Sequence, residues 1–225
     1  MKKFSVIVID PPYGFQDRLQ QSDVKRGAAD HYKTMTISEI ELLPVKDIAD
    51  PDGAILCLWV PSSLLPEGVQ IMKTWGFDLK QSYIWVKSKK EPFKDIFSQI
   101  LRQGILKMSL KEIFKKISAG YDFNNFFGFG MGHLFRNCHE ICLIGTRGKI
   151  IKQLKNKSQR TVCFAPNLKH SAKPENLQNS LDLMYPNANK IEIFARRERK
   201  SWLCLGNEVG EKLDIKDALS KLITE

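Results

Sequence analysis

The segment Val6 to Tyr13, VIVIDPPY, ends a run of branched apolar residues with an acid, two prolines and an aromatic residue. The short apolar run predicts a buried strand, so Asp10 is expected where the chain leaves a sheet. Proline lacks a backbone N–H and has a fixed φ, so Pro11 and Pro12 present rigid carbonyl acceptors. An amino group on a planar ring suits such a site, because a carboxylate and a carbonyl accept its hydrogens while an aromatic ring stacks on it. The same residues are also typical of an ordinary tight turn.

Short apolar strands alternate with helical segments along the chain, which predicts an α/β fold with a largely parallel sheet. The predicted strands are Phe4–Ile9, Ala54–Val60, Tyr83–Val86, Glu140–Ile144, Thr161–Phe164, Lys190–Phe194 and Trp202–Leu205. One helix is predicted from Ser63 to about Gly76, and another begins at Pro174. Open α/β sheets bind ligands at the carboxyl ends of their strands, where Asp10 is expected.

The segment 88–126 departs from this alternation. Apolar residues recur there at helical spacing, and Ser109 with Glu112 forms a capping box. We therefore predict a single domain over residues 1–225 with a helical, basic insert at 88–126. The insert is interpreted as a nucleic-acid arm, a partner-docking surface or a helix pair that covers the core, and the pattern does not choose among these.

The net charge of +10 is concentrated in one part of the chain. Residues 80–160 contain 17 Lys and Arg against 5 Asp and Glu, so the remaining residues carry a small negative excess. Such a distribution predicts a polyanionic partner, nucleic acid first, although solvated surface lysines explain it as well. The residues expected to contact a nucleic-acid backbone are Lys87, Arg136, Lys149 and Lys152.

The chain has 5 cysteines, an odd number, and they form no CxxC pair, which favours reduced thiols. The apolar run near the amino terminus ends at Asp10 and is too short for a signal peptide core or a membrane span. We therefore expect a cytoplasmic protein without membrane association.

The DPPY tetrad resembles the D-P-P-[YW] signature of amino-group methyltransferases, and its surroundings resemble the MT-A70 family of N6-adenine methyltransferases. The segment HYKTMTISEI is similar to the family's Y-x-T-M segment, and GAILCLWV and SYIWVK are similar to two of its strands. GMGHLFRNCHEICLIGTRG resembles its H-E block, while HSAKPENL, KIEIFARR and WLCLGNEVG resemble its cofactor-binding end. These blocks follow the family order and leave mainly the insert at 88–126 unmatched.

The resemblance implies a Rossmann-like methyltransferase sheet in permuted order, with the chemistry strand before the cofactor strand. It implies in-line methyl transfer from S-adenosylmethionine to N6 of adenine, with Asp10, Pro11, Pro12 and Tyr13 as catalytic residues. Tyr13 and Tyr32 would contact the substrate base. No metal is expected, because the pair His139 and Glu140 is interpreted as structural or supporting.

The cofactor-binding residues implied by the resemblance are Asp10, Lys173, Arg196, Asn207 and Glu208. An acid at the end of a strand binds ribose hydroxyls in dinucleotide folds, which independently favours Glu208 with Asn207. No glycine-rich loop follows KIEIFA, and S-adenosylmethionine has no pyrophosphate that would require one. Where relatives have a His-Asn pair this chain has Glu198 and Arg199, so no role is assigned to these two.

DNA is the favoured substrate, because the chain shows no RNA-binding module; RNA remains the alternative. A base in a duplex is inaccessible, so the target adenine must be flipped out or single-stranded. A catalytically silent nucleic-acid-binding subunit of a methyltransferase heterodimer is a third hypothesis, and a homodimer is also open.

Overall fold

The computed structural model describes residues 2–14, 34–91, 126–130, 132, 134–167, 172–209 and 214–224, together with the single positions 94, 109, 111, 112 and 115. The chain divides into two compact units. The first unit comprises Met1–Tyr83, Ile141–Gln159 and Leu177–Glu225, and the second comprises Ile84–Glu140 and Arg160–Asn176.

The described residues form seven strands and five α-helices. The strands are β1 (Val6–Ile9), β2 (Gly53–Val60), β3 (Asp78–Ser88), β4 (His139–Gly148), β5 (Val162–Pro166), β6 (Lys190–Ile193) and β7 (Trp202–Leu205). The helices are α1 (Ile37–Glu41), α2 (Val45–Ile48), α3 (Leu65–Thr74), α4 (Asn176–Met184) and α5 (Ile215–Thr224). The predicted α/β fold is confirmed.

In the first unit the strands lie in the order β4-β2-β1-β6-β7. β1 is parallel to both β2 and β6, β6 is parallel to β7, and only β4 runs antiparallel to its neighbour β2. Ile9 is in register with Ile193, and Ile193 is in register with Leu205. The carboxyl ends of β1, β6 and β7 therefore lie side by side, although β6 and β7 come late in the chain. This is the predicted permuted order.

The core of the first unit explains why β1 and β2 are strands. All residues of β1 and β2 are buried, and apolar residues on both faces are typical of a central strand in a parallel sheet. Ile71, Met72 and Trp75 from the region of α3 join the same core. Burial of each large aliphatic side chain contributes roughly 1.5–3 kcal/mol.

The second unit contains the end of β3, which pairs in parallel with β5 from Ile84↔Val162 to Ser88↔Pro166. Trp85 stabilises the pairing of β3 with β5, because its Nε1 donates to the Ala165 carbonyl oxygen at 2.9 Å. Most of the predicted insert at 88–126 lies outside the described residues. Its capping box is confirmed, since Ser109 N donates to Glu112 Oε2 at 2.8 Å and Glu112 N donates to Ser109 Oγ at 3.4 Å.

Some elements differ from the predicted ones. β3 begins at Asp78, five residues before its predicted start, because its exposed first part DLKQS has no apolar alternation to signal a strand. α1, α2 and α5 were not predicted. The capping box of Thr36 and Glu39 at the start of α1 is a sequence signal that would have found that helix.

Candidate active site

The DPPY turn begins directly after β1. Asp10, half-buried, donates its backbone N–H to the Ile193 carbonyl oxygen of β6 at 3.4 Å. Tyr13 N donates to the Pro11 carbonyl oxygen at 2.9 Å, which closes a tight three-residue turn. A carbonyl oxygen has two lone pairs, so the Pro11 oxygen can accept a second hydrogen bond besides that of Tyr13.

A second segment holds the turn in place. Met35 N donates to the Pro12 carbonyl oxygen at 2.8 Å, and Gly14 N donates to the Met35 carbonyl oxygen at 3.0 Å. Thr34 and Met35 are the last two residues of the segment YKTM, so two sequence blocks identified separately form one backbone-paired structure. Tyr32 lies outside the described residues.

Tyr13 is a core residue, with 4 % of its surface exposed. Its hydroxyl donates to the Trp59 carbonyl oxygen at 3.1 Å. Burial, and to a lesser degree the neighbouring Asp10 carboxylate, raises the pKa of Tyr13 well above its usual range, so the hydroxyl remains a donor. The turn is therefore anchored at its aromatic end, and stacking of this ring on a base remains a prediction.

The loops after β6 and β7 meet at the same sheet edge. Arg196 Nη1 lies 3.3 Å from Glu208 Oε1, with 27 % and 42 % of the two side chains exposed. Gly206 makes this approach possible, because a Cβ there would lie 2.0 Å from the Ala195 carbonyl oxygen. Asn207 is exposed beside Glu208. The structure thus brings Asp10, Arg196, Asn207 and Glu208 to the carboxyl ends of three adjacent parallel strands.

The residue at the bend after β6 has an unusual backbone. Phe194 has φ 64°, a left-handed conformation that bulky side chains rarely adopt. Strained backbone of this kind collects at ligand sites, where the surrounding structure holds it. Phe194 separates Ile193 from the loop that carries Arg196, so this strain lies at the candidate cofactor edge.

Glu192 is a carboxylate of this edge that sequence analysis did not identify. It lies on β6 in register with Val8 and accepts a hydrogen bond from Gln178 of α4. Burial raises the pKa of Glu192 above its ordinary value, and repulsion from Asp10 acts in the same direction. No motif marks this residue, because its environment comes from strand pairing.

The second unit contains a carboxylate between two lysines. Glu140 Oε1 lies 2.8 Å from Lys87 Nζ, and Glu140 Oε2 lies 3.1 Å from Lys173 Nζ. The side chains of Lys87, Lys173 and Glu140 are 12 %, 16 % and 31 % exposed. Burial alone would raise the pKa of Glu140, but the two ammonium groups outweigh it and hold this pKa below its ordinary value. Glu140 therefore fixes the position of Lys173, the predicted cofactor lysine.

The four residues that were predicted to contact a nucleic-acid backbone lie in different parts of the structure. Arg136 is exposed, whereas Lys87 is mostly buried against Glu140 and the Trp85 ring. Lys149 and Lys152 are exposed after the end of β4, where Gly148 pairs with Gly53 at the start of β2. This is the amino-terminal end of β2, whereas Asp10 lies at the carboxyl end of the neighbouring parallel strand β1. The two ends of the sheet are separated by the length of β2, roughly 25 Å. The structure does not bring Lys149 and Lys152 to the candidate site.

Arg199, to which no role was assigned, belongs to an ion-pair network. The Asp182 carboxylate accepts from Arg199 Nη2 at 2.8 Å and from Trp202 Nε1 at 2.9 Å. Lys190 Nζ, in a side chain only 3 % exposed, lies 3.4 Å from the same carboxylate. This network joins α4 to β6 and β7 and thereby supports the loop that carries Arg196.

No cluster of three or more His, Cys, Asp or Glu suited to a metal ion occurs in the part of the chain that the structure describes. In the same part, no helix is both long enough and apolar enough to cross a bilayer.

The sheet order and the polar groups at its carboxyl edge define a Rossmann-like methyltransferase fold. The MT-A70 family model matches residues 4–114 and 107–208, so the chain belongs to the MT-A70 family. It is 26 % identical over 208 residues to an N(6)-adenosine-methyltransferase MT-A70-like protein of Arabidopsis thaliana, a match that covers 92 % of this chain and 24 % of that protein.

Two further relatives differ in how much of each is matched. The chain is 24 % identical over 209 residues to the human N(6)-adenosine-methyltransferase catalytic subunit METTL3, covering 92 % of this chain and 28 % of that protein. It is 23 % identical over 230 residues to the type II methyltransferase M.MunI of a Mycoplasma species, covering 95 % of this chain and 82 % of that protein. The chain therefore spans about a quarter of the length of the adenosine methyltransferases but most of M.MunI.

Proposed function

We propose that this protein is an S-adenosylmethionine-dependent N6-adenine methyltransferase that acts on DNA. The observation that carries the proposal is the parallel register of β1, β6 and β7. This register aligns the DPPY turn with the loops of Arg196 and Glu208. In α/β sheets that edge is where ligands bind.

The polar groups of the chain match the chemistry of this cofactor. Glu208 and Asn207 would hold the ribose hydroxyls. Arg196, which pairs with Glu208, would orient the Glu208 carboxylate. The Lys173 ammonium would pair with the carboxylate of the methionine part, and the Asp10 carboxylate would face its positive charge. When bound, S-adenosylmethionine supplies a methyl group on a positively charged sulfur.

The DPPY turn would prepare the acceptor amine. The amino nitrogen of adenine is a weak nucleophile, because its lone pair is delocalised into the ring. Asp10 and the second lone pair of the Pro11 carbonyl would accept the two N6 hydrogens and stabilise the positive charge that grows on nitrogen. Tyr13, anchored through Trp59, would stack on the base, and Tyr32 is proposed as its second contact. Held in this way, the amine is positioned for attack.

DNA is proposed as the substrate because the match to the type II methyltransferase M.MunI spans most of that protein. The basic excess of residues 80–160 supports a polyanionic substrate. Arg136, exposed in the second unit, is the proposed backbone contact among the described residues. A flipped or unpaired adenine is required in either polymer.

The experiment measures transfer of labelled methyl from S-adenosylmethionine to DNA and RNA oligonucleotides of the same sequence. Asp10→Ala is the test variant, and Asp78→Asn is the control, because the Asp78 side chain is 84 % exposed and lies far from the DPPY turn in sequence. N6-methyladenine in DNA that is lost in Asp10→Ala and kept in Asp78→Asn supports the proposal.

Three other results contradict the proposal in distinguishable ways. Methyl transfer to the RNA strand alone assigns the substrate to RNA. Nucleic-acid binding without transfer or cofactor binding, measured by titration calorimetry, identifies a silent subunit. Full activity of Asp10→Ala removes the DPPY turn from the mechanism.

A further inference from the structure

The second unit exposes large apolar side chains on one loop. Phe129 is 60 % exposed, Leu134 is 92 % exposed and Phe135 is 84 % exposed. Leu134 and Phe135 are consecutive in the chain, and large apolar side chains that are exposed together usually mark a binding site. We call the described residues 128–130, 132 and 134–137 the aromatic loop.

The aromatic loop is held at its base by the backbone. Gly130 N donates to the Asn137 carbonyl oxygen at 2.8 Å, and Asn137 N donates back to the Gly130 carbonyl oxygen at 3.1 Å. Gly128 N donates to the Lys87 carbonyl oxygen at 2.9 Å, which ties the loop to the end of β3. Phe129 directly precedes the Gly130–Asn137 pair, and Phe135 lies between these two residues in the chain. Both rings are therefore exposed on a backbone that is held by hydrogen bonds.

The charge of the second unit indicates what these rings bind. Its sequence contains 13 Lys and Arg against 6 Asp and Glu. Arg136 is exposed directly beside Phe135. Exposed aromatic rings next to a cation are an arrangement that binds single-stranded nucleic acid, because bases stack on the rings while the cation contacts a phosphate. A protein-binding surface instead has few charges around its apolar centre.

We propose that Phe129 and Phe135 form a stacking platform for unpaired bases, with Arg136 contacting the adjacent phosphate. The proposal deepens the proposed function, since it names single-stranded or locally opened nucleic acid as the form that the enzyme engages. Stacking uses the faces of the bases, so this contact is independent of sequence and of adenine.

The experiment measures binding of a fluorescent oligothymidine strand to the full chain by anisotropy at several salt concentrations, without cofactor. Phe129→Ala and Phe135→Ala are each expected to weaken binding about tenfold, the effect of losing one stacked base. Phe135→Leu is expected to weaken it nearly as much, because leucine keeps the apolar surface but not the flat ring. Leu183→Ala is the control, since Leu183 is 56 % exposed on α4 of the first unit.

The salt dependence separates stacking from charge. The phenylalanine variants should leave the slope of log affinity against log salt unchanged, because no phosphate contact is lost, whereas Arg136→Gln should reduce it by about 0.7, the single-strand value for one contact. Unchanged affinity in both phenylalanine variants, with thermal unfolding as in the unsubstituted chain, overturns the proposal. Equal weakening of binding to a fully paired duplex also overturns it.

Two results keep this proposal distinct from its alternatives. A dimer in sedimentation that Phe135→Ala converts to a monomer would assign the aromatic loop to contact between copies and overturn the proposal. Oligothymidine contains no adenine, so loss of binding in the phenylalanine variants supports the platform even if methyl transfer fails. Failure of the platform and failure of the proposed methylation are thereby measured separately.

Discussion

Lys173 Nζ lies 3.1 Å from Glu140 Oε2, and this contact joins the segment before α4 to the start of β4. The other oxygen of the carboxylate holds Lys87. Sequence analysis treated Lys173 as a cofactor ligand and Glu140 as a supporting residue, without a link between them. The structure makes Glu140 the positioning residue for that lysine.

Glu140→Gln is therefore expected to raise the KM for S-adenosylmethionine several-fold with a smaller change in kcat, because Lys173 loses its anchor. Stability should fall by about 1–3 kcal/mol, less than for a fully buried ion pair. Because the pKa of Glu140 is lowered on folding, its stabilisation is present above the ordinary pKa of 4.5 and is lost as the pH falls through the lowered value. Steady-state kinetics and urea unfolding measure these effects.

The matched control for this prediction is Glu91→Gln, because Glu91 pairs with Lys94 through two exposed side chains. It should change neither the KM nor the stability. Partial recovery of the KM in Glu140→Asp would support a positioning role. An unchanged KM in Glu140→Gln would leave the carboxylate with a structural role only.

Tyr13→Phe tests the anchor of the DPPY turn. The variant keeps the ring but loses the hydroxyl that donates to Trp59, so stability should fall by about 1 kcal/mol. Activity should fall less than in Asp10→Ala, because the proposed stacking surface remains. Tyr13→Ala removes both the hydroxyl and the ring, so it should lose more stability and more activity than Tyr13→Phe. Urea unfolding measures the stability, and methyl transfer measures the activity. Equal activity of the Phe and Ala variants would exclude the ring from the base site.

Gly206→Ala tests the close approach of the β6 and β7 loops. The added Cβ would lie 2.0 Å from the Ala195 carbonyl oxygen, so the backbone must move, at an expected cost of about 1–3 kcal/mol. The movement should also separate Arg196 from Glu208 and weaken cofactor binding in calorimetry. Gly130→Ala is the control, since its Cβ would meet no atom closer than 3.7 Å. Equal cofactor affinity in both variants would contradict this role of Gly206.

Asp182→Asn tests the ion-pair network behind the candidate cofactor edge. The substitution leaves Lys190 and Arg199 without their shared carboxylate, and the Lys190 side chain is only 3 % exposed. We expect a loss of about 1–3 kcal/mol in unfolding free energy, less than for a fully buried pair, because the Asp182 side chain is 34 % exposed. Asp78→Asn, at an exposed pair, should leave the stability close to unchanged. A similarly small change in unfolding free energy in both variants would show that the network contributes little to stability.

Glu192→Gln tests the buried carboxylate of β6. Because burial raises the pKa of Glu192, the folded state binds its proton more tightly, and stability falls as the pH rises above the ordinary value of 4.5. The amide carries no charge, so the variant should gain stability relative to the unsubstituted chain as the pH rises from 4.5 to 7. Urea unfolding at pH 4.5, 5.5, 6.5 and 7.5 measures the difference. If the stability difference between the variant and the unsubstituted chain shrinks as the pH rises, the pKa of Glu192 is not raised by burial.

Local sequence patterns were sufficient to locate most of the strands and the turn after β1, but they missed α1, α2 and α5. β7 lies where its apolar run predicted, and β2 begins one residue earlier. The DPPY turn follows β1 as expected, and the capping box at Ser109 forms. These features depend on residues close together in the chain, so periodicity and turn chemistry are enough to reveal them.

The partners of these segments were decided by the tertiary structure. Asn189 Nδ2 donates to the Lys3 carbonyl oxygen across 186 residues of sequence, and contacts of this range set which strands are neighbours. Strand register brings Arg196 to Glu208, places Glu192 beside Asp10 and carries Lys149 to the opposite edge. By itself, the sequence determined which residues could do chemistry, because side-chain type is local. Only the folded chain decided which of them meet, because register and burial arise from long-range packing.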